Sequence, residues 1–290
     1  MLYIHHYGLK EKPFQDTANP KFLWLGEKQL QILNILKCGV QRNKGITLLT
    51  GDVGTGKTIL LNYLAESLRD QVLVSRINNP DLDTSDFLHF LSDSINPGAS
   101  FEDKVAFLSR IILASSNKKM ILIIIDEAHL ITDNLLDELN ILLKIKKSDA
   151  RMVNIIFAGQ ETSFGTLNEE ILADMIPESP LKCHLEPLTK EETNHYIRHC
   201  LRIAGATRNP FSMCALGEIA IFSGGIPRII NSICDKALLI GYVKNKKILN
   251  SAVVKECAED SHFVNRVNDP KDDLMPMNSV SQSTRFGEDS

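Results

Sequence analysis

Eight consecutive residues, Gly51-Asp52-Val53-Gly54-Thr55-Gly56-Lys57-Thr58, satisfy the pattern G-x-x-x-x-G-K-[ST]. Each residue type in that pattern has a task toward phosphate. The glycines let successive backbone N–H groups curl around phosphate oxygens. The lysine ammonium reaches the terminal phosphates, and the threonine hydroxyl is a hard oxygen ligand for Mg²⁺. A helix opening directly after the loop adds the positive end of its dipole. On this reading Gly51, Asp52, Val53, Gly54, Thr55, Gly56, Lys57, Thr58 and Ile59 bind a nucleotide, and Mg²⁺ accompanies it. The competing reading is a glycine-rich turn without a ligand. The setting of the string, between an apolar run and a helical pattern, favours the P-loop.

A second constellation follows an apolar run. Ile121-Leu122-Ile123-Ile124-Ile125 leads into Asp126-Glu127. In a P-loop protein Asp126 would hold the Mg²⁺ ion through its water shell, so that Thr58 and Asp126 are the metal residues. Glu127 would polarise an attacking water as general base. Such acid pairs also cap helices, and it is the P-loop upstream that gives this one its chemical meaning. A Glu directly after the Asp points to ATP hydrolysis rather than to a small-molecule kinase or a Ras-like GTPase. The chain also contains no N-K-x-D guanine signature. His129 completes the string DEAH, yet a helicase needs a second RecA-like domain that the helical remainder does not supply. It reads instead as a neighbour of the site or a surface histidine.

Two further side chains join the candidate catalytic set. Gln160 follows the fourth strand, which in a P-loop sheet lies beside the Asp126 strand; there it would orient or sense the water, or else simply turn the chain. Arg228, in Gly224-Gly225-Ile226-Pro227-Arg228, would fold back onto the phosphates and couple a helical lid to nucleotide state. Its plainer alternative is a surface arginine after a helix-starting proline.

These side chains need elements to hold them. Apolar runs predict strands over 46–50, 72–77, 120–125, 152–158 and, briefly, 182–186. Helical spacing predicts helices over 27–41, 59–69, 85–94, 101–116 and 135–145. Strands alternating with helices argue for a doubly wound α/β sheet. From Thr189 the strand pattern stops. Thr189-Lys190-Glu191-Glu192 reads as a capping box opening a helix to residue 204, and helices over 212–222, 227–243 and 250–260 follow. The predicted organisation is a lead-in segment (1–25) with interleaved aromatics that pack on the main domain, a P-loop α/β core (26–188), an all-α lid (189–261) and a polar, disordered tail (262–290).

Composition narrows the class. The chain has 290 residues, 43% hydrophobic and 23% charged, enough to bury a sizeable core. Lys and Arg number 32 against 36 Asp and Glu, a net charge of −4, which gives no support to a strongly basic nucleic-acid binder. The 6 cysteines form no C-x-x-C pair and read as buried, reduced thiols. No N-terminal signal pattern is visible. The strongly apolar run at 120–125 falls well short of the roughly 20 residues a membrane span needs. The expected location is cytoplasmic, with contact to the inner membrane through a partner.

Taken together, the motifs resemble the AAA+ ATPases of the general secretion pathway protein A (ExeA-like) group, which includes the MshM-type pilus-biogenesis ATPases. The strings that carry the resemblance are Tyr7-Gly8-Leu9-Lys10-Glu11-Lys12-Pro13-Phe14, Asn19-Pro20-Lys21-Phe22-Leu23, the stretch from Leu49 to Thr58, Asn79-Pro80-Asp81-Leu82, Ile125-Asp126-Glu127-Ala128, Ala158-Gly159-Gln160, the stretch from Cys183 to Thr193, and Ser223-Gly224-Gly225-Ile226-Pro227-Arg228-Ile229-Ile230-Asn231. They span nearly the whole predicted folded part, in order. The resemblance implies an ASCE-type AAA+ core with a helical lid, ATP hydrolysed to ADP, and work on a protein partner in envelope assembly, with a nucleotide-dependent homo-oligomer as a further implication.

Three departures stand out. Lys28-Gln29-Leu30 replaces the family's usual His-containing start of the first helix, and His129 stands where many members have Gln. Above all, no arginine occurs between Arg151 and Arg198, where the family carries them. A neighbour's arginine finger is worth about 10³–10⁵ in rate in related chemistry. Lys182 or Arg151 would have to substitute, or else the chain is a weakly hydrolysing nucleotide switch. Many members also continue into a membrane span and a cell-wall-binding domain, so an envelope link is expected through a partner. A DNA-associated role of the transposition-ATPase type is the alternative function, with Lys144-Ile145-Lys146-Lys147 and Lys244-Asn245-Lys246-Lys247 as the candidate DNA path.

Overall fold

The computed structural model describes residues 3–15, 17–77, 120–144, 146–147, 150–151, 153–161, 169–176 and 179–259. The predicted helices 85–94 and 101–116, the Asn79-Pro80-Asp81-Leu82 string and the predicted tail lie outside them.

In chain order the described strands are β1 (Ile46–Thr50), β2 (Val72–Ile77), β3 (Met120–Ile125), β4 (Lys146–Lys147), β5 (Ala150–Arg151), β6 (Val153–Gly159) and β7 (Leu181–His184). Strands β4 and β5 pair antiparallel with each other, a hairpin the sequence pattern did not signal. The rest form one parallel sheet in the order β2-β3-β6-β1-β7. Strand β6 therefore separates the strand before the P-loop from the strand before Asp126, and lies directly beside both.

The apolar runs explain why the sheet is covered on both faces. Side chains alternate along a strand. Ile121, Ile123 and Ile125 share one core with Leu135, Leu139 and Leu142 of helix α3 (Asp133–Leu143), and with Leu172 of α4 (Glu169–Met175). Leu122 and Ile124 share the opposite core with Leu33 and Leu36 of α1 (Glu27–Gln41) and Leu61 and Leu64 of α2 (Lys57–Leu68). A strand buried on both faces must be apolar throughout, as β3 is. Each such side chain contributes about 1.5–3 kcal/mol by burial. An Ile123→Ala change, at 1% exposure, costs about 2–5 kcal/mol.

Beyond β7 the chain is helical: α5 (Lys190–Ile203), α6 (Met213–Ser223), α7 (Pro227–Val243) and α8 (Ser251–Glu259). The caps are the ones the sequence announces. Thr189 and Glu192 exchange both bonds of a capping box. The Ser212 hydroxyl accepts the Ala215 N–H, and Pro227 occupies the first turn of α7.

Three local differences from the sequence pattern have clear causes. Helix α2 begins at Lys57 rather than at 59, because Gly56 adopts a left-handed conformation that turns the loop directly into the helix. Helix α3 begins at Asp133, with the Thr132 hydroxyl accepting the Leu135 N–H. The lead-in segment is folded and bridges the two units: Leu23 and Leu25 pack on the sheet core, while its aromatics pack on the helices beyond β7. Residues 3–9 form tight turns, Pro20–Phe22 is a 3₁₀ turn, and Tyr3, Ile4, Leu9, Phe14 and Phe22 are buried among the residues of α5 to α8. Those helices have no sheet of their own to cover their apolar stripes, and the N-terminal aromatics fill that need. The Tyr3 hydroxyl donates to Asp235, and the Lys10 N–H donates to the Ala204 carbonyl at 2.8 Å.

Cysteine burial is also less uniform than predicted. All six are free thiols, but Cys38 is half-buried and Cys214 is exposed. Among the described residues no helix is long and apolar enough to cross a membrane.

Candidate active site

The P-loop bridges β1 and α2. Its lysine is buried at 7% exposure, and the Nζ donates to the carbonyls of Gly51 at 2.6 Å and Asp52 at 2.9 Å. Burial lowers the pKa of this ammonium, while the carboxylates of Glu127, Asp126 and Asp52 pull the other way. The Thr55 hydroxyl donates to the Asp52 carbonyl at 2.8 Å and closes the loop from behind.

At the end of β3 the site gains its acids. The Thr58 hydroxyl donates to Asp126 Oδ2 at 2.7 Å. The sheet order makes this contact, since Thr50 of β1 and Ile125 of β3 pair with Gly159 and Phe157 of the shared neighbour β6. Asp126 is 4% exposed, and its backbone N–H donates to the Ile77 carbonyl at 2.9 Å. The Arg76 guanidinium donates to the same Oδ2 at 2.8 Å. Glu127 sits in the left-handed region at φ 53°, an uncommon conformation for a non-glycine residue that lifts its side chain off the strand direction. Its carboxylate is 46% exposed, lies 3.4 Å from His129 Nδ1, and lines the cleft above the P-loop.

That cleft encloses about 340 Å³. Its floor is the P-loop from Val53 to Ile59, one wall is the lead-in segment at Pro13 and Gln15, and the other is Tyr196, Arg228 and Asn231. Beside it lies an apolar recess formed by Phe22, Trp24, Ile59, Leu185 and Leu188. Gln29 borders the recess at 8% exposure, and its Oε1 is buried without a hydrogen-bond partner among the described residues. Polar links hold the walls in place. Asn62 Nδ2 donates to the Ala18 carbonyl at 2.8 Å, Asn231 Nδ2 to the Gln15 carbonyl at 3.3 Å, and the Tyr196 hydroxyl to Asn231 Oδ1 at 2.8 Å.

The helical unit touches the P-loop itself. The Arg228 N–H donates to the Gly54 carbonyl at 3.2 Å. A Cβ on Gly54, whose φ is +83°, would lie 2.8 Å from Arg228 Cβ. The turn before α7 is equally tight, since a Cβ on Gly225 would fall 1.8 Å from the Leu188 carbonyl oxygen. Only glycine fits there.

The sequence-derived candidates are thus partly gathered. Val53, Gly54, Gly56, Lys57, Thr58, Ile59, Glu127 and Arg228 line the cleft, and Asp126 lies behind Thr58. Gln160 is half-buried one residue beyond β6 and is not among the lining residues. Lys182 is exposed on the edge strand β7, and Arg151 belongs to the β4–β5 hairpin. In the second lysine cluster, Lys244 pairs with Glu256 at 2.6 Å and Lys247 donates to the His6 carbonyl at 2.7 Å. These two ammonium groups are engaged within the fold, which weakens the case for a DNA path there. Sequence reasoning missed Arg76, Gln29 and Tyr196. The visible signal for Arg76 was a lone cation interrupting the apolar run of β2.

Mg²⁺ fits the donor set. Thr58 and Asp126 present hard oxygens of the kind this ion prefers, and it characteristically takes its remaining ligands from phosphate and water. The loop glycines leave the close backbone approach that phosphate requires.

A parallel sheet with this strand order, a P-loop after β1 and an Asp-Glu pair after β3 define an AAA-type P-loop NTPase fold. The AAA domain family matches residues 40–167. General secretion pathway protein A of Aeromonas hydrophila is 30% identical over 250 residues, covering 84% of this chain and 45% of that protein. The chain thus carries an AAA domain, is similar to general secretion pathway protein A, and spans about half the length of that relative. Solved structures agree on the fold. Cdc6p of Pyrobaculum aerophilum superposes with a TM-score of 0.64 at 19% identity, covering 86% of this chain and 74% of the other. The ORC2 protein of Aeropyrum pernix gives 0.60 at 12% identity, over 85% and 72% of the two chains. The RuvB Holliday junction branch migration motor of Thermotoga maritima gives 0.57 at 17% identity, over 81% and 70%.

Proposed function

We propose that the chain binds ATP with Mg²⁺ in the cleft, hydrolyses it to ADP and phosphate, and uses the cycle to drive or regulate assembly of a cell-envelope system through a protein partner. The observation that carries the reading is the 2.7 Å contact between Thr58 and Asp126 beside a cleft lined by Lys57 and Glu127. Lys57 turns its ammonium from the loop carbonyls to the phosphates. Bound Mg²⁺ would neutralise phosphate charge, and Thr58 and Asp126 are the residues that would hold it. Glu127, half in solvent, takes the proton of the attacking water. The apolar recess takes the base, and its Gln29 amide offers one donor and one acceptor to it. Residues 26–188 act as the nucleotide-binding domain and 189–261 as the lid. Arg228 reports the state of the loop to that lid, and Gln160 orients water once the site is closed.

The envelope role is supported by the 30% identity to general secretion pathway protein A over 250 residues. A pull-down with Glu127→Gln, which holds the ATP-bound state, tests it. Capture of an envelope-assembly protein in the presence of ATP and its loss with ADP is the expected result. Equal capture with both nucleotides refutes the coupling.

A further inference from the structure

The Asp126 carboxylate is already engaged by a cation of the protein itself. Thr58 Oγ1 and an Arg76 guanidinium nitrogen both donate to Oδ2, at 2.7 and 2.8 Å. Oδ1 accepts the Glu127 N–H at 3.2 Å. With Asp126 4% exposed, little room is left for another ligand. An arginine and a divalent cation on one buried carboxylate repel each other strongly.

Arg76 is also built to leave. Its backbone is clamped, being paired with Ile124 in the β2–β3 ladder next to the Ile77 carbonyl that accepts the Asp126 N–H. Its side chain is 18% exposed, and its buried Nε meets no acceptor among the described residues, so the guanidinium is incompletely satisfied where it stands. A side chain with one good ion pair, one unmet donor and a partial opening to solvent has a second position within reach.

We propose that Arg76 is an internal competitor for Mg²⁺. Its guanidinium holds Asp126 in the metal-free protein and moves off when Mg²⁺ and nucleotide bind, so that Arg76 sets the metal concentration at which the site loads. This rests on the reading that Thr58 and Asp126 hold the metal. Arg76 is a positioning residue in this scheme, because it acts on the metal through Asp126.

The test uses Mn²⁺, which replaces Mg²⁺ and is counted by electron paramagnetic resonance, titrated against the full chain with ADP. R76Q is expected to bind Mn²⁺ about tenfold more tightly than wild type, with ADP affinity in EDTA unchanged within about twofold. Unchanged or weaker Mn²⁺ binding overturns the proposal. So does loss of ADP affinity in EDTA, which would assign Arg76 to the phosphates. If R76Q fails to fold by circular dichroism, R76K replaces it. Its ammonium lacks the guanidinium fork and grips the carboxylate less firmly, so tightening of about threefold is expected and no change overturns the idea. A wild-type chain that binds neither ADP nor Mn²⁺ removes the nucleotide site and this role together. Wild-type binding with no effect of R76Q removes the role alone.

Discussion

The backbone N–H of Arg228 donates to the carbonyl of Gly54 at 3.2 Å, joining the first turn of α7 to the middle of the P-loop. A shift of the loop at Gly54 on phosphate binding would pass to α7 through this backbone bond, without a side chain in between. Gly54→Ala places a methyl 2.8 Å from Arg228 Cβ at a left-handed φ of +83°. Strain of about 1–2 kcal/mol follows from the backbone alone. ATP affinity should fall at least tenfold and Tm by several degrees. Arg228→Ala keeps the backbone bond, so Tm should stay within about 2 °C while hydrolysis falls. Calorimetry and thermal melts on both variants separate the two, and equal melting of the pair would contradict the assignment.

Lys57→Ala removes the buried cation of the loop. ATP affinity should drop by at least a hundredfold, about 2.7 kcal/mol, as measured by titration calorimetry. Unchanged affinity would end the P-loop reading.

Glu127→Gln keeps size and shape but cannot accept a proton. ATP binding should stay within about threefold, and turnover should fall more than tenfold, at least 1.4 kcal/mol of barrier. A smaller loss in single-turnover hydrolysis would assign the base elsewhere.

Gln29→Leu tests the recess. The buried Oε1 has no partner among the described residues, which is costly in the free protein. Replacing the amide by an apolar group should raise Tm by about 2–4 °C, the shift for 1 kcal/mol in a chain of this size. The same change should reduce the preference for ATP over GTP, because the amide matches the adjacent donor and acceptor of adenine. Competition binding gives the ratio, and a constant ratio would show that the base does not meet Gln29.

The missing family arginines predict a low ATPase rate per chain, nearly independent of protein concentration. Steady-state assays over a hundredfold dilution check this. Strong concentration dependence, abolished by Arg151→Ala or Lys182→Ala, would reveal a finger across an interface after all.

The elements were legible because their signals are local. An unbroken apolar run such as β3 has little choice but a doubly covered strand, and Thr189 with Glu192 writes its own cap. Helix α1 and strands β1, β2 and β3 have the bounds the pattern predicts. The β4–β5 hairpin was not legible, since two short polar stretches carry no periodicity.

The sequence by itself determined the P-loop, the Asp126-Glu127 pair and the helices beyond β7, because spacing along one segment is enough to define each. Tertiary structure alone decided which distant side chains meet. Arg76 reaches Asp126 because β2 pairs with β3, and Thr58 reaches it because one strand, β6, separates β1 from β3. The N-terminal aromatics close the helical core instead of the sheet, because that is where apolar surface was left uncovered. Contacts of this kind depend on strand order and on which surfaces remain to be buried, and neither is encoded in the neighbourhood of any one residue.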